Sequence, residues 1–538
     1  MSRESDTSRR ILKGAAILTL AALIVKILSA VYRIPFQNMA GDTGFYIYQQ
    51  VYPFYGIAVV LATYGFPVAL SKLLVENRAN EKREIVRKQI ITASFIWVLF
   101  IGVILFSLLF FGAEHIASIM NDTQLVPLVR TVAFSFLLMP FISIARGSYQ
   151  ADGNMIPTAL SQTFEQLLRV TFILVGTYLL MRYGASLYMV GEGAIVGSLV
   201  GGVAATLVLA YYIRKDHGGL YPLMMPEGEL LKRIGKILLF QGLAFCLNNM
   251  YLLLLQLIDS FQIYSSLIEQ GIPTDEAKML KGVYDRGQPL IQVGLVVATS
   301  LSLSLVPLLT SLQNKKAVKE VKAMCHLAIK VSFAVGVGAS IGLLGILQSV
   351  NIMLFKDDKG LETLSVLAMF IFLASLLVTS STILQTMGYW KVSVLIILLS
   401  FILKGSLNPW LISEYGIIGA AYSSLFALII ACVMLLYCVE RFISGSAIGI
   451  SHLVRLVIAA VVMYIMLKGY TVLFASLLGE IGGSRKWATI HAVSSVVIGV
   501  VVYLFTLFKI QLFKKEELIH LPGGQLLIEV TNKGKFKR

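Results

Sequence analysis

The residues of this chain with the means to do chemistry are a few charges set inside long apolar runs. In the first run, 11–33, spacings of 3 and 4 put Thr19, Ala22, Lys26, Ser29 and Arg33 on one helix face, a small, polar and cationic stripe. A cation near the bilayer centre costs about 2.5–3.5 kcal/mol even on the lenient insertion scale. Lys26 stands too deep in the run to snorkel easily, so the stripe is expected to face protein or trapped water. Tyr48, Gln49 and Tyr52 give a second polar face, followed by a flexing point at Gly65 and Pro67. Glu165 and Arg169 stand at i,i+4, the spacing of a self-neutralising structural pair. Gln241, Asn248, Gln256 and Asp259 run along one side of a later span, and the next opens Tyr284-Asp285-Arg286-Gly287-Gln288-Pro289, then Gln292. Pro289 marks either a bend there or the true helix start. Lys404 sits mid-run with Asn408 one turn on; Lys330 and Lys468 lie nearer span ends, where snorkelling accounts for them.

The chemistry these residues suit is anion binding. An arginine grips phosphate oxygens through two parallel N–H bonds, and a lysine acts as a mobile point charge. Lys26, Arg33 and Arg286 around one chamber would set up a positive field fitted to an anionic head group such as a lipid pyrophosphate. Their other reading is structural: Arg33 and Arg286 anchoring helix ends at the outer interface, Lys26 a buried structural cation. Asp259 and Asp285 form the only well-placed acid pair, and no large soluble loop for a nucleotide-sugar is present, which weighs against a membrane glycosyltransferase. Cys246, Cys325, Cys432 and Cys438 sit in apolar runs without a CxxC or a paired Cys/His ligand set, and read as small core residues. His326 and His491 also lack a partner at ligand spacing, so neither a metal nor a cofactor is expected.

These side chains must be positioned by helices in a membrane. With 57% hydrophobic and 14% charged residues and a mean hydropathy of +0.81, a soluble chain of 538 residues would expose too much apolar surface. The net charge of +16 does not indicate nucleic acid, because its basic residues cluster in short links, where positive-inside topology and anionic membrane lipids account for them. Apolar runs recur at about 11–33, 44–70, 89–112, 127–146, 157–181, 190–213, 234–258, 283–311, 323–348, 362–387, 392–412, 416–439, 453–478 and 488–511. That pattern predicts an all-α integral membrane protein of fourteen transmembrane helices and excludes an outer-membrane barrel. The first run lacks a cleavage site and is expected to be retained. Lys and Arg alternate in abundance from link to link, and the one near Ala113–Val126 has none, which predicts a cytoplasmic-membrane protein with both termini inside.

An internal duplication is also indicated. The turns YQADGNM and LQTMGYW share Gln150/Gly153 and Gln385/Gly388, and two later spans begin GAIVGSLV and GAAYSSLF. The expected organisation is a six-helix lobe at 1–213, a cytoplasmic linker at 214–233, a pseudo-symmetric six-helix lobe at 234–441, two C-terminal helices within 442–513, and a basic cytoplasmic tail at 514–538. Spans 1, 2, 7 and 8 would then surround one cavity at the pseudo-two-fold axis.

The blocks ILKGAAILTLAALIVKILSAVYRIPF, GFPVALSKLLVE, RGSYQADGNMIPTALSQTFEQLLRV, VYDRGQPL and FILKGSLNPWLISEYGIIGAA carry a family resemblance across about 10–440. The chain resembles the polysaccharide-transporter branch of the MOP (multidrug/oligosaccharidyl-lipid/polysaccharide) exporters, and within it the stage V sporulation protein B and MurJ-type lipid II flippase group. That resemblance implies alternating access by a two-lobed, fourteen-helix transporter, not an enzyme. The cargo implied is an undecaprenyl-pyrophosphate-linked saccharide, either lipid II or a surface-polysaccharide unit. It also implies that Lys26 stands where the first helix carries an arginine, with Arg33 near a second, and that Arg286 and Asp285 match an arginine of the eighth helix and its acidic neighbour. Two departures stand out: lysine replaces arginine at 26, and the acid expected early in span 2 is missing, with Gly44 thereabouts and Asp42 just ahead. Gln49, Asn248 and Gln292 complete the expected substrate-binding set. Coupling to Na+ or H+ stays open, and the rival transport reading is a MATE-type multidrug/cation antiporter.

Overall fold

The computed structural model describes residues 23–77, 83–218, 224–303, 317–443, 449–479 and 484–514, with the isolated positions 309, 312, 313, 517 and 519. Thr19 and Ala22 of the first stripe, most of the basic tail and the side chain of Asn248 lie outside the described residues. The chain is an all-α, multi-pass integral membrane protein, and among the described residues twelve helical segments are long and apolar enough to cross a bilayer.

In chain order the helices are α1 (23–31), α2 (Arg33–Val60), α3 (Phe66–Glu76), α4 (Arg83–Phe111), α5 (Ala113–Ile119), α6 (Val126–Ala151), α7 (Ile156–Arg182) and α8 (Leu187–His217). They continue with α9 (Gly228–Ile237), α10 (Leu243–Asn249), α11 (Tyr251–Glu269), α12 (Thr274–Asp285) and α13 (Gly287–Leu303). After these come α14 (Val318–Phe355), α15 (Leu361–Thr386), α16 (Trp390–Tyr415), α17 (Ile417–Ile443), α18 (Ile450–Leu478) and α19 (Arg485–Lys509). The expected spans from 89 to 213 and from 323 to 511 each fall on one continuous helix.

The polar spans depart from that regularity. The first two share one helical stretch, Leu23–Glu76, whose 54 residues are far too long for a single crossing. It is broken at Gly41, where φ +71° and ψ −177° suit only a residue without a Cβ, and again by a π-helical turn at Leu61–Gly65. The run expected at 234–258 is divided by a second π turn, Leu238–Gly242, and by a break at Met250, so that α11 extends on to Glu269. The run expected at 283–311 is interrupted at Arg286, between α12 and α13. Pro289 thereby falls in the first turn of α13, where its missing N–H costs nothing.

Two compact units emerge. One runs through Asp285 and takes in Asn408–Gly416; the other comprises Arg286–Leu407 and the chain from Ile417 onward. In the first unit, α7 and α8 meet backbone to backbone because α8 carries a small-residue stripe at Gly193, Gly197 and Gly201. A Cβ at Gly197 would lie 3.0 Å from the Ile173 nitrogen, and one at Gly201 2.6 Å from the Glu165 carbonyl. This approach fixes where Glu165 and Arg169 stand. The two π turns also pack together: a Cβ at Gly65 would sit 1.7 Å from Cys246 Sγ and 3.1 Å from the Gly242 carbonyl. Overpacking there costs roughly 1–3 kcal/mol. Gly65→Ala is therefore expected to lower the melting temperature in detergent, and Cys246→Ala in the same chain to restore most of it. Equal stability of Gly65→Ala and wild type would refute this packing.

In the second unit α14 is the spine. Ser332 bonds Ser375 on α15 at 2.7 Å, and the Tyr503 hydroxyl of α19 donates to the Ala334 carbonyl at 2.6 Å. His491 is packed, as its isolation in the sequence suggests, bonded to Ser349 at 2.7 Å and stacked on Tyr470. Lys330 does not snorkel to water; it is buried and pairs with Glu517 at 2.8 Å. The turns after α6 and α15 close alike, with Gly153 and Gly388 at positive φ and their N–H groups bonded to Gln150 and Gln385 at 3.0 Å. Gly184 ends α7 the same way, so this cap is a general stop and not a mark of duplication alone.

Candidate functional site

The first unit holds a buried group of arginines and tyrosines built mainly on α2. Tyr48, Tyr52 and Tyr55 recur at helical spacing along one face, and Tyr32 joins them from the turn before α2, its hydroxyl 2.6 Å from that of Tyr48. Into this group α7 sends Arg169. Its Nη2 donates to Tyr32 Oη at 2.8 Å and to Tyr48 Oη at 3.1 Å, Nε donates to Ser198 and Nη1 to Gln166. The guanidinium also stands 4.4 Å from the Tyr55 ring centre. Arg169 is thus a satisfied cation.

Arg33 is different. It is fully buried, 4.2 Å over the Tyr52 ring, and none of its three guanidinium nitrogens meets a hydrogen-bond partner among the described residues. A desolvated cation–π contact supplies about 2 kcal/mol, whereas burying an ion without a counter-charge costs several kcal/mol. With Arg169 close to the same tyrosines, the site carries excess positive charge and unused donors, which is the state of a site that accepts an anion.

The i,i+4 pair expected between Glu165 and Arg169 is not the pair that forms. Glu165 is held by Arg146 of α6, Nη2 to Oε2 at 2.7 Å, while Arg146 Nε donates to Ser161 and Nη1 to Thr63 inside the first π turn. The tyrosine hydroxyls offer Arg169 acceptors on α2, and the fully buried Arg146 takes the carboxylate. Arg146 lies in the RGSYQADGN block that marks the family, but nothing in local spacing assigns it a partner 19 residues away.

The other expected site residues stand as follows. Lys26 projects from α1 and is exposed. Gln49 is buried, and its Oε1 has no partner. Asp285 is buried and bonded to Lys281, one turn before it on α12, at 2.6 Å. Arg286, in the second unit, is fully buried and engaged bidentately by Asp357, in the turn between α14 and α15, with Nη2 to Oδ2 at 3.0 Å. Partial burial opposes ionisation of Asp357, but the Arg286 hydrogen bonds and the Lys359 amide outweigh it and hold this carboxyl below the usual carboxylate range. Acidification through neutral pH therefore leaves this pair closed. Gln292 is half-buried on α13.

A second polar group escaped local reading. Asp122, just before α6, accepts the hydroxyls of Tyr46 at 2.9 Å and Tyr188 at 2.6 Å, and Lys278 of α12 bonds the latter at 2.7 Å. It ties α2, α8 and α12 together in the first unit.

The model of the polysaccharide biosynthesis protein family matches residues 11–313. The chain belongs to this family. It stands in the polysaccharide-transport, MurJ-like branch of the MOP superfamily, a family and fold of transporters rather than enzymes. It is 39% identical to the uncharacterized membrane protein YabM of Bacillus subtilis, over 96% of this chain and 95% of that one. It is 25% identical to the lipid II flippase MurJ of the same organism, over 96% and 98%. Among solved structures, the inward closed conformation of a lipid II flippase MurJ superposes with a TM-score of 0.67 at 15% identity, covering 91% of this chain and 98% of that one, a likeness of fold. The family match spans α1 to α13 and so includes both polar groups of the first unit.

Proposed function

We propose that the protein is a flippase that exports a polyprenyl-pyrophosphate-linked saccharide, lipid II or a surface-polysaccharide unit, across the cytoplasmic membrane by alternating access. The observation that carries this reading is the sealed, unpartnered guanidinium of Arg33. A cationic drug would be repelled by it; a pyrophosphate would complete it. Similarity over nearly full length to a protein named a lipid II flippase supports the cargo class. In this reading Lys26 and Arg33 supply positive charge to the head group, Arg286 does so on exchanging its bond to Asp357 for the phosphate, and Gln49, Asn248, Asp285 and Gln292 supply polar contacts. The chain crosses the membrane fourteen times as two duplicated six-helix lobes plus two helices, with both termini in the cytoplasm.

The test is translocation of a fluorescent lipid-linked saccharide in proteoliposomes. Wild type is expected to move it, and Lys26→Ala and Arg286→Ala each to slow it at least tenfold, the equivalent of one charge-assisted hydrogen bond of about 1.5 kcal/mol. Undiminished transport by both variants, or pumping of a cationic dye in place of the lipid, would overturn the proposal.

A further inference from the structure

The turn between α14 and α15 sets a carboxylate on Arg286 from the solvent side. The arginine side chain is 1% exposed and that of Asp357 35%, so of this pair it is the carboxylate that faces water. The Phe355 ring lies 5.2 Å from the guanidinium. A ligand that reaches this guanidinium from water has to take the place of the carboxylate.

The two sides of the pair are held independently. Arg286 stands at the head of α13, and that helix is pressed against α15: a Cβ at Gly287 would lie 2.6 Å from Leu367 Cδ1 and 3.5 Å from Leu364 Cδ2. The turn has supports of its own, since Asn351 donates to the Lys359 carbonyl at 2.8 Å. Lys356 and Gly360 bracket it at φ +72° and +71°. A rotation of the Asp357 side chain therefore parts the pair without moving either element, at the cost of one further bond, from the Lys359 amide at 3.1 Å. Protons do not open it, because the Arg286 and Lys359 bonds hold this carboxyl below its usual range. An anion can, by exchange: two phosphate oxygens present the same geometry to an arginine fork as two carboxylate oxygens. The displaced carboxylate, already a third exposed, passes into water at little cost.

We propose that Asp357 is a release residue for the anionic head group: it neutralises Arg286 in the empty carrier, gives way to one phosphate, and expels that phosphate on returning to the arginine. This rests on the reading that Arg286 meets the pyrophosphate. With the N-terminus cytoplasmic, α14 is the ninth span and its turn lies outside, where the cargo leaves. No covalent bond changes; a carboxylate and a phosphate trade places on the same N–H groups.

The test is calorimetric binding of farnesyl pyrophosphate to the full-length protein in detergent, paired with translocation of the lipid-linked saccharide in proteoliposomes. Asp357→Asn keeps an acceptor for the Lys359 amide and loses the charge. It is expected to bind about tenfold more tightly, the worth of one charge-assisted hydrogen bond, and yet to translocate saturating cargo more slowly than wild type, because release is delayed. Asp358→Asn removes the same charge one residue on, from a side chain bonded to Gln348 at 3.4 Å, and should match wild type in both. Stranding Arg286 without its carboxylate also lowers the melting temperature of Asp357→Asn, and farnesyl pyrophosphate is expected to raise it by more than in wild type. A merely structural Asp357 would give the lower melting temperature alone. Unchanged or weaker binding by Asp357→Asn would overturn the release role while leaving Arg286 as a head-group contact. No binding by wild type, or binding that Arg286→Ala leaves intact, would overturn the underlying reading as well. If Asp357→Asn does not fold, Asp357→Ser, whose hydroxyl also accepts the Lys359 amide, takes its place in each comparison.

Discussion

Arg33→Leu is expected to abolish transport and yet leave the protein as stable as wild type, or more so. Most functional lesions in a buried site destabilise, because they open a cavity or strand a partner. Arg33 strands nothing, since no described residue hydrogen-bonds to its guanidinium. The leucine gives up a cation–π contact with Tyr52 worth about 2 kcal/mol but removes a desolvation penalty of several kcal/mol, a net gain of roughly 1–3 kcal/mol. Losing a bidentate grip on phosphate, two charged hydrogen bonds of at least about 1.5 kcal/mol each, corresponds to roughly a 100-fold slower translocation. Thermal unfolding and translocation measured on the same preparation check both halves. A variant that transports normally, or that melts far below wild type, would show that Arg33 is a structural cation with a partner it cannot do without.

Arg146→Ala should do the opposite. Arg146 is fully buried and satisfies Glu165, Ser161 and Thr63 at once. Removing it leaves the mostly buried Glu165 without its counter-charge and frees the π turn that holds Thr63. Breaking one side of a buried pair costs about 3–5 kcal/mol, enough to remove most of the folded protein at growth temperature. Replacing both partners, Arg146→Met with Glu165→Leu, is expected to recover most of that stability, because nothing charged is then left buried. The measurement is the melting temperature of the three proteins in one detergent. A double variant as unstable as the single one would mean that Arg146 acts through its bonds to Ser161 and Thr63 and not through Glu165.

These two arginines also mark where reading the sequence ends. Composition fixes a membrane protein, and apolar runs of helix length fix it as multi-pass and all-α, because the other fold that satisfies its backbone in lipid, a closed barrel, would alternate over about ten residues. The uninterrupted apolar runs are legible for the same reason: a run such as 362–387 has one low-energy solution, and α15 occupies Leu361–Thr386. The intramembrane charges were legible as well, since each is costly and therefore conspicuous. Their partners were not. Side-chain spacing on one helix reports only neighbours along that helix, so it pairs Glu165 with Arg169; the glycine stripe of α8 and the tyrosine face of α2 decide otherwise. The same limit hid Asp357 from Arg286, 71 residues away, and Lys278 from Tyr188, 90 residues away. The helix break at Met250 was equally beyond local reading, since it falls inside an unbroken apolar run, whereas the break at Gly41 lies in the gap between the first two runs and the one at Arg286 was signalled by Pro289. The sequence by itself determines that this protein spans a membrane and holds cations there. Which cation is neutralised and which is left without a hydrogen-bond partner among the described residues was decided by tertiary packing alone, because charge compensation is a property of distances between helices and not of any one helix.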